Sequence, residues 1–126
     1  MAIDPSLRGR SIEWVGSSQK EIRDMPEEVR REFGQALYEA ELGGRHPSAK
    51  PLKGIEDIEV VSDFSGDTFR AVYTIKFAGI LYVLGAFQKK STFKSKTPKV
   101  DIDRIKRRLA AAREHFEMYH KSRETG

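Results

Sequence analysis

The 126-residue chain has no cysteine, so disulfides and thiolate metal sites are excluded and its chemistry is indifferent to redox compartment. Histidine is scarce: His46, His115 and His120 show no ligand spacing with one another or with carboxylates, and neither a metal site nor a cofactor is expected. No stretch approaches the roughly 20 apolar residues that span a bilayer, and the opening "MAIDPSLRGR" lacks the apolar core of a signal peptide. A soluble, cytoplasmic protein with no membrane partner is expected. Glycine-rich phosphate loops, nucleophile elbows and HExxH elements are also missing. Without internal repeats, low-complexity tracts or a long linker, residues 1–126 read as a single domain.

What is present is a sufficient core and an uneven charge. Hydrophobic residues make up 38% of the chain, and the formal net charge is +4. Residues 1–87 carry 11 Lys and Arg against 14 acids, and residues 88–126 carry 12 against 5. Regional charges of −3 and +7 therefore share one small body, which implies a basic face suited to phosphate. The most basic stretch, "FQKKSTFKSKTPK" at residues 87–99, holds five lysines and no acid, and it follows directly on the apolar "GILYVLGA". A solvated lysine loop is the plain alternative.

Periodicity gives the elements. "SIEWVG" (11–16) alternates as a short strand. Pro26 with Glu27 and Glu28 suits a helix first turn, and Val29, Phe33, Ala36, Leu37 and Ala40 continue as one apolar stripe that Gly43-Gly44 ends. "RHPSAKPLKG" (45–54) reads as a loop. A strand follows around Ile58 and Val60, then a turn at "FSGD", then a cleanly alternating strand from Thr68 to Phe77. "ILYVLGAF" is apolar on both faces and should be central. Thr97-Pro98 opens a helix with Ile102, Ile105, Leu109, Ala112, Phe116 and Tyr119 along one seam. The expectation is an α+β domain, an antiparallel sheet packed with N-terminal helices and a C-terminal helix.

If the central hairpin turns at Ala78-Gly79, paired residue numbers sum to 157. Phe69, Ala71 and Tyr73 then share a core face with Ala86, Leu84 and Tyr82, and on the reverse face Arg70 lies opposite Phe87 with Lys89 diagonal to it. Lys50 and Lys53, before the preceding strand, are candidates for the same corner. Arg70, Lys89, Lys90 and Lys53 beside an exposed Phe87 ring supply what a strand of RNA needs: cations for phosphate, a guanidinium fork and a stacking surface. The structural alternatives are an outward Arg70 paired with an acid such as Glu59, and a core Phe87.

"KPLKGIEDIEVV", "GDTFRAVYTI" and "ILYVLGAFQKKSTFKSKTPKVDIDRIKRRLAAA" together resemble the phage-derived, HigB-like branch of the RelE and HigB toxins. The resemblance covers residues 50–112 and implies a small RelE-like toxin of a type II toxin–antitoxin pair, a metal-independent endoribonuclease that cuts messenger RNA on the ribosome by 2′-hydroxyl attack. It implies Arg70 as the residue holding the scissile phosphate, Lys89 or Lys90 as the strand-end cation and Lys53 as the loop lysine and candidate base. Lys50, Phe87, Lys94, Lys96 and Lys99 would flank them on the RNA, and a helix-turn-helix antitoxin would be the cognate partner. The chain departs from the family pattern at Glu59-Val60-Val61, where relatives commonly carry an arginine. That departure keeps two other readings open: a protein of the same fold that acts by binding gyrase, antitoxin or DNA, and a homodimer or larger assembly built through the C-terminal seam.

Overall fold

The computed structural model describes residues 10–44, 46–52, 57–89 and 99–125. Its elements are β1 (Ser11–Trp14), α1 (Ser18–Arg23), α2 (Glu27–Glu41), β2 (Ala49–Leu52), β3 (Asp57–Phe64), β4 (Asp67–Thr74), β5 (Ile80–Lys89) and α3 (Lys99–Thr125). The strands form one sheet in the order β1-β5-β4-β3-β2. The α+β class is as expected, but the sheet is not wholly antiparallel. β2 to β5 pair antiparallel, whereas β1 joins β5 in parallel, Ser11 opposite Ile80 and Trp14 opposite Val83. A parallel neighbour requires a crossover, and α1 and α2 begin the one that separates β1 from the rest of the sheet.

The apolar stripe of α2 is buried as its spacing dictates, with Val29, Phe33, Ala36, Leu37 and Ala40 all in the core. Burying side chains the size of Phe33 and Leu37 stabilises by about 1.5–3 kcal/mol each. Pro26 stands just before the first turn, and the far end closes with paired bonds from Gly43 N–H to Ala40 (3.1 Å) and Gly44 N–H to Glu39 (2.8 Å), satisfying carbonyls that the helix leaves open.

Two expectations about strand limits are corrected. Residues 49–52, within the expected loop, form an edge strand on β3, and Pro51 concealed it: proline lacks the amide a central ladder needs but is tolerated at an edge. The strand expected to reach Phe77 ends at Thr74. The β3–β4 turn is at the expected "FSGD", where Ser65 and Gly66 both take positive φ (54° and 85°), as the tightest hairpin loops require.

The largest correction concerns register. From Thr68 to Val72 the paired numbers do sum to 157, including Arg70 opposite Phe87. Beyond Val72 the register shifts, with Tyr73 opposite Val83, leaving Leu84 as an extra residue. This bulge puts Leu84 and Gly85 in sequence on the α3 side. Leu81, Val83 and Ala86 therefore pack with Phe69, Ala71 and Tyr73 against α2. Ile80, Tyr82, Leu84 and Phe87 pack with Val72, Ile105 and Ala112 beneath α3. Tyr82, Leu84 and Ile80 thus lie on the face opposite to the one a regular hairpin would give them.

Gly85 marks the tightest point. A Cβ there would lie 2.9 Å from Arg108 Nη1, 3.1 Å from Ile105 Cδ1 and 3.3 Å from Glu21 Oε1. Gly85→Val should therefore destabilise the fold by about 1–3 kcal/mol through overpacking, read as a lower urea midpoint at unchanged slope. Gly34→Ala, where a Cβ meets nothing within 4 Å, should cause no comparable loss.

Candidate functional site

Of the residues expected at a basic corner, the backbone register places Arg70 and Lys89 near the C-terminal end of β5. Arg70 pairs with Phe87, and Lys89 pairs with Thr68, whose hydroxyl donates to Asp63 Oδ1 at 2.8 Å. Lys50 pairs with Glu59, which in turn pairs with Val72, so Lys50 is two ladders from β4, roughly 10 Å across the sheet. Lys99 is exposed at the first residue of α3. Lys53, Lys90, Lys94 and Lys96 lie outside the described residues, as does the Thr97-Pro98 cap.

Arg70 and Phe87 are not surface groups. Arg70 is 5% exposed and Phe87 8%, because α3 makes their side of the sheet a second core. The expected exposed ring is a core ring in the Val72 and Ile105 cluster. The Arg70 Nε is buried and makes no hydrogen bond, although the residue has other interactions.

The strongest polar constellation lies at the bulge, and sequence reasoning missed it. Arg108 donates from Nη1 to Glu21 Oε1 (2.8 Å) and to the Leu84 carbonyl (2.9 Å), and from Nη2 to Glu21 Oε2 (2.8 Å) and Ser17 Oγ (3.0 Å). Glu21 Oε1 also accepts from Ala86 N–H at 3.1 Å. The bulge's backbone is thus met by α1 and α3 side chains, and the paired geometry is the strong, forked form of a charge-assisted bond. Burial alone pushes the Glu21 carboxyl up, but hydrogen bonds from Arg108, Ala86 and Ser17 with the Arg108 charge outweigh it and hold it below its ordinary 4.5. Asp101 moves the other way, raised by burial and by the Glu21 charge against the opposing pull of Arg104.

At the other end of β5 a pocket of about 220 Å³ opens between β1 and α3, lined by Glu13, Trp14, Val15, Tyr82, Ala111, Ala112 and His115. Tyr82 Oη lies 2.8 Å from His115 Nδ1. Burial, then the charge of Glu13 and the nearby Tyr119, pushes the Tyr82 phenol up to about 12. The phenol is therefore protonated at neutral pH. Sequence spacing alone marks His115 as no metal ligand and Tyr82 as a core ring, and gives no hint of their contact. The signal available in sequence was the conjunction of an outward Glu13 with a histidine on the α3 seam. Among the described residues no cluster of His, Cys, Asp and Glu fits a metal ion, and no helix is long and apolar enough to cross a membrane.

An α+β domain with a mixed sheet and a long C-terminal helix is consistent with a small RelE-like domain. Residues 20–110, more than two thirds of the chain, match the family model described as phage derived protein Gp49-like (DUF891), and the chain belongs to that family. The family is phage-derived and toxin-like, associated with RelE-type toxins of toxin–antitoxin systems, which implies an antitoxin partner. No curated protein matches the chain.

Because Glu21 has a lower pKa folded than unfolded, it contributes stability above about pH 4.5, and that contribution is lost as pH falls from there through the folded value. Glu21→Gln should cost about 2 kcal/mol at pH 7, since it leaves Arg108 without its carboxylate. Its stability should then decline less steeply than wild type below pH 4.5. Urea titrations at several pH values measure both.

Proposed function

We propose that this chain is the toxin of a type II toxin–antitoxin pair and cuts messenger RNA in the ribosomal A site without a metal. The observation that carries the reading is the pairing of Arg70 with Phe87, one ladder step from Lys89, at the strand end that feeds the lysine-rich segment. Family membership and the +7 charge of residues 88–126 support it. In the proposed reaction the 2′-oxygen forms a bond to the adjacent phosphorus and the P–O5′ bond breaks, leaving a 2′,3′-cyclic phosphate and a 5′-hydroxyl. Arg70 holds the phosphate, Lys89 or Lys90 meets the negative charge that grows on its oxygens, Lys53 takes the 2′-proton, and solvent water gives the departing 5′-oxygen its proton. Preorganised cations near developing charge are worth several kcal/mol in a partly dry site. Phe87 holds the Arg70 side of the sheet rather than stacking on a base, and Lys50, Lys94, Lys96 and Lys99 hold the flanking RNA backbone. The antitoxin, a helix-turn-helix protein, silences this corner, and the complex resides in the cytoplasm.

A second reading, a protein of this fold that acts only by binding gyrase, antitoxin or DNA, is favoured by one observation: Arg70 is 5% exposed, so phosphate reaches it only if the cover moves. The assembly reading loses its main surface, since Ile102, Ile105, Leu109, Ala112 and Phe116 of the seam pack on the chain's own sheet, leaving Met118 and Tyr119 exposed.

Single-turnover cleavage on ribosomes programmed with a defined message separates the readings. Arg70→Gln should slow cleavage by about a hundredfold or more while changing ribosome affinity far less, with Arg70→Lys between it and wild type. Growth arrest by wild type with intact message would establish the binding reading. A folded Arg70→Gln that cleaves at the wild-type rate would remove Arg70 from the chemistry. Replacing Lys94 and Lys96 by Gln should instead weaken RNA binding and flatten its salt dependence by roughly one to two units of slope.

A further inference from the structure

The pocket between β1 and α3 belongs to neither reading above. It lies at the opposite end of β5 from the basic corner, five residues from Phe87 along the strand and so roughly 17 Å away. Its one carboxylate is that of Glu13. Glu13 pairs in register with Tyr82 on the edge strand, so its carboxylate shares the α3-facing side. His115 Nδ1 and the Tyr82 hydroxyl stand 2.8 Å apart in a hydrogen bond, which fixes the imidazole ring at one wall. The remaining walls are Val15, Ala111 and Ala112, small and aliphatic. Among the described residues no Lys or Arg lines this cavity, although the chain carries 23 of them.

We propose that this pocket is a binding site for an organic monocation on an aliphatic stem, an alkylammonium or alkylguanidinium group, with the head on Glu13 and the stem against Val15, Ala111 and Ala112. A carboxylate at the end of a small cavity rewards such a head, since a hydrogen bond to a charged group is among the stronger single contacts available. Both walls and volume suit one side chain: an alkyl stem buries apolar area while its charged end stays near the mouth. The head group comes either from a free diamine or from a lysine or arginine of a protein partner, and the two share this chemistry.

Binding to the full chain is read by titration calorimetry, because the Trp14 indole packs on the α2-side core, away from Glu13. Titration of the full chain with acetyl-Ala-Lys-Ala-amide, acetyl-Ala-Arg-Ala-amide, putrescine and the neutral control acetyl-Ala-norleucine-Ala-amide should give a saturable change with the cationic probes and none at equal concentration with the control. Tighter binding of putrescine points to a free amine, and tighter binding of a peptide points to a protein side chain. Glu13→Gln should weaken the response by about tenfold or more, the loss of one charge-assisted hydrogen bond. Glu13 is exposed on an edge strand, and an unchanged thermal melt checks that its replacement leaves the fold intact. Ala111→Leu, an exposed position, narrows the cavity and should also weaken binding while leaving Glu13 in place. Equal binding of the neutral control, no saturable change with any cation, or full binding by both variants would overturn the assignment. RNA cleavage by Glu13→Gln at the wild-type rate is expected, so this test and that of Arg70 fail independently.

Discussion

A single guanidinium organises the junction between the layers. Arg108 reaches from α3 to the Glu21 carboxylate on α1 and to the Leu84 carbonyl on β5, and Glu21 meets the Ala86 amide on the far side of the bulge. A bulge leaves backbone groups that no neighbouring strand can satisfy, and an unsatisfied buried group costs about 1–3 kcal/mol. Here the sheet's irregularity and the charges of two helices satisfy one another. The absence of a side chain at Gly85 lets them come this close, and at Gly16 a Cβ would stand 3.0 Å from Arg108 Nε.

That junction decides which face each residue of β5 takes. Because Leu84 is accommodated as an extra residue, the strand can be core-forming on both faces before and after it without a break in its apolar run. Tyr82 and Leu84 pack under α3, while Ala86 returns to α2 and Phe87 to α3. The end of β5 is thereby presented with Arg70 and Phe87 on one side. A proposed RNA site at the corner and a proposed cation pocket at the opposite end thus hang from the same strand, which runs centrally between β1 and β4.

Much of this was legible in the residues, for reasons that can be named. The α2 stripe and the α3 seam are helical periodicities of uninterrupted length, and every α2 position read as buried is buried. Arg70 opposite Phe87 was readable because that part of the hairpin keeps the simple register. The bulge was not readable, since a run apolar on both faces has no alternation to betray a slip. Nor was the Arg108–Glu21 pair, 87 residues apart, because nothing local marks which of many arginines turns inward. Pro51 and its neighbours looked like loop residues because edge strands tolerate what central ones reject. The burial of Arg70 escaped because a strand's second face looks solvent-directed until a helix is known to cover it.

The parallel seam between β1 and β5 joins residues 11–14 to residues 80–83, and this bears on how the chain acquires its shape. Closing so long a loop costs configurational entropy before any contact repays it, whereas the β3–β4 and β4–β5 hairpins close over a few residues. The hairpins are therefore the natural early structure, and β1, made before any other strand of the sheet, pairs only once β5 is in place. Until β5 has formed, the apolar stripe of α2 has no sheet to cover it. The parallel seam thus makes the protection of residues 11–14 depend on a strand made about 70 residues later.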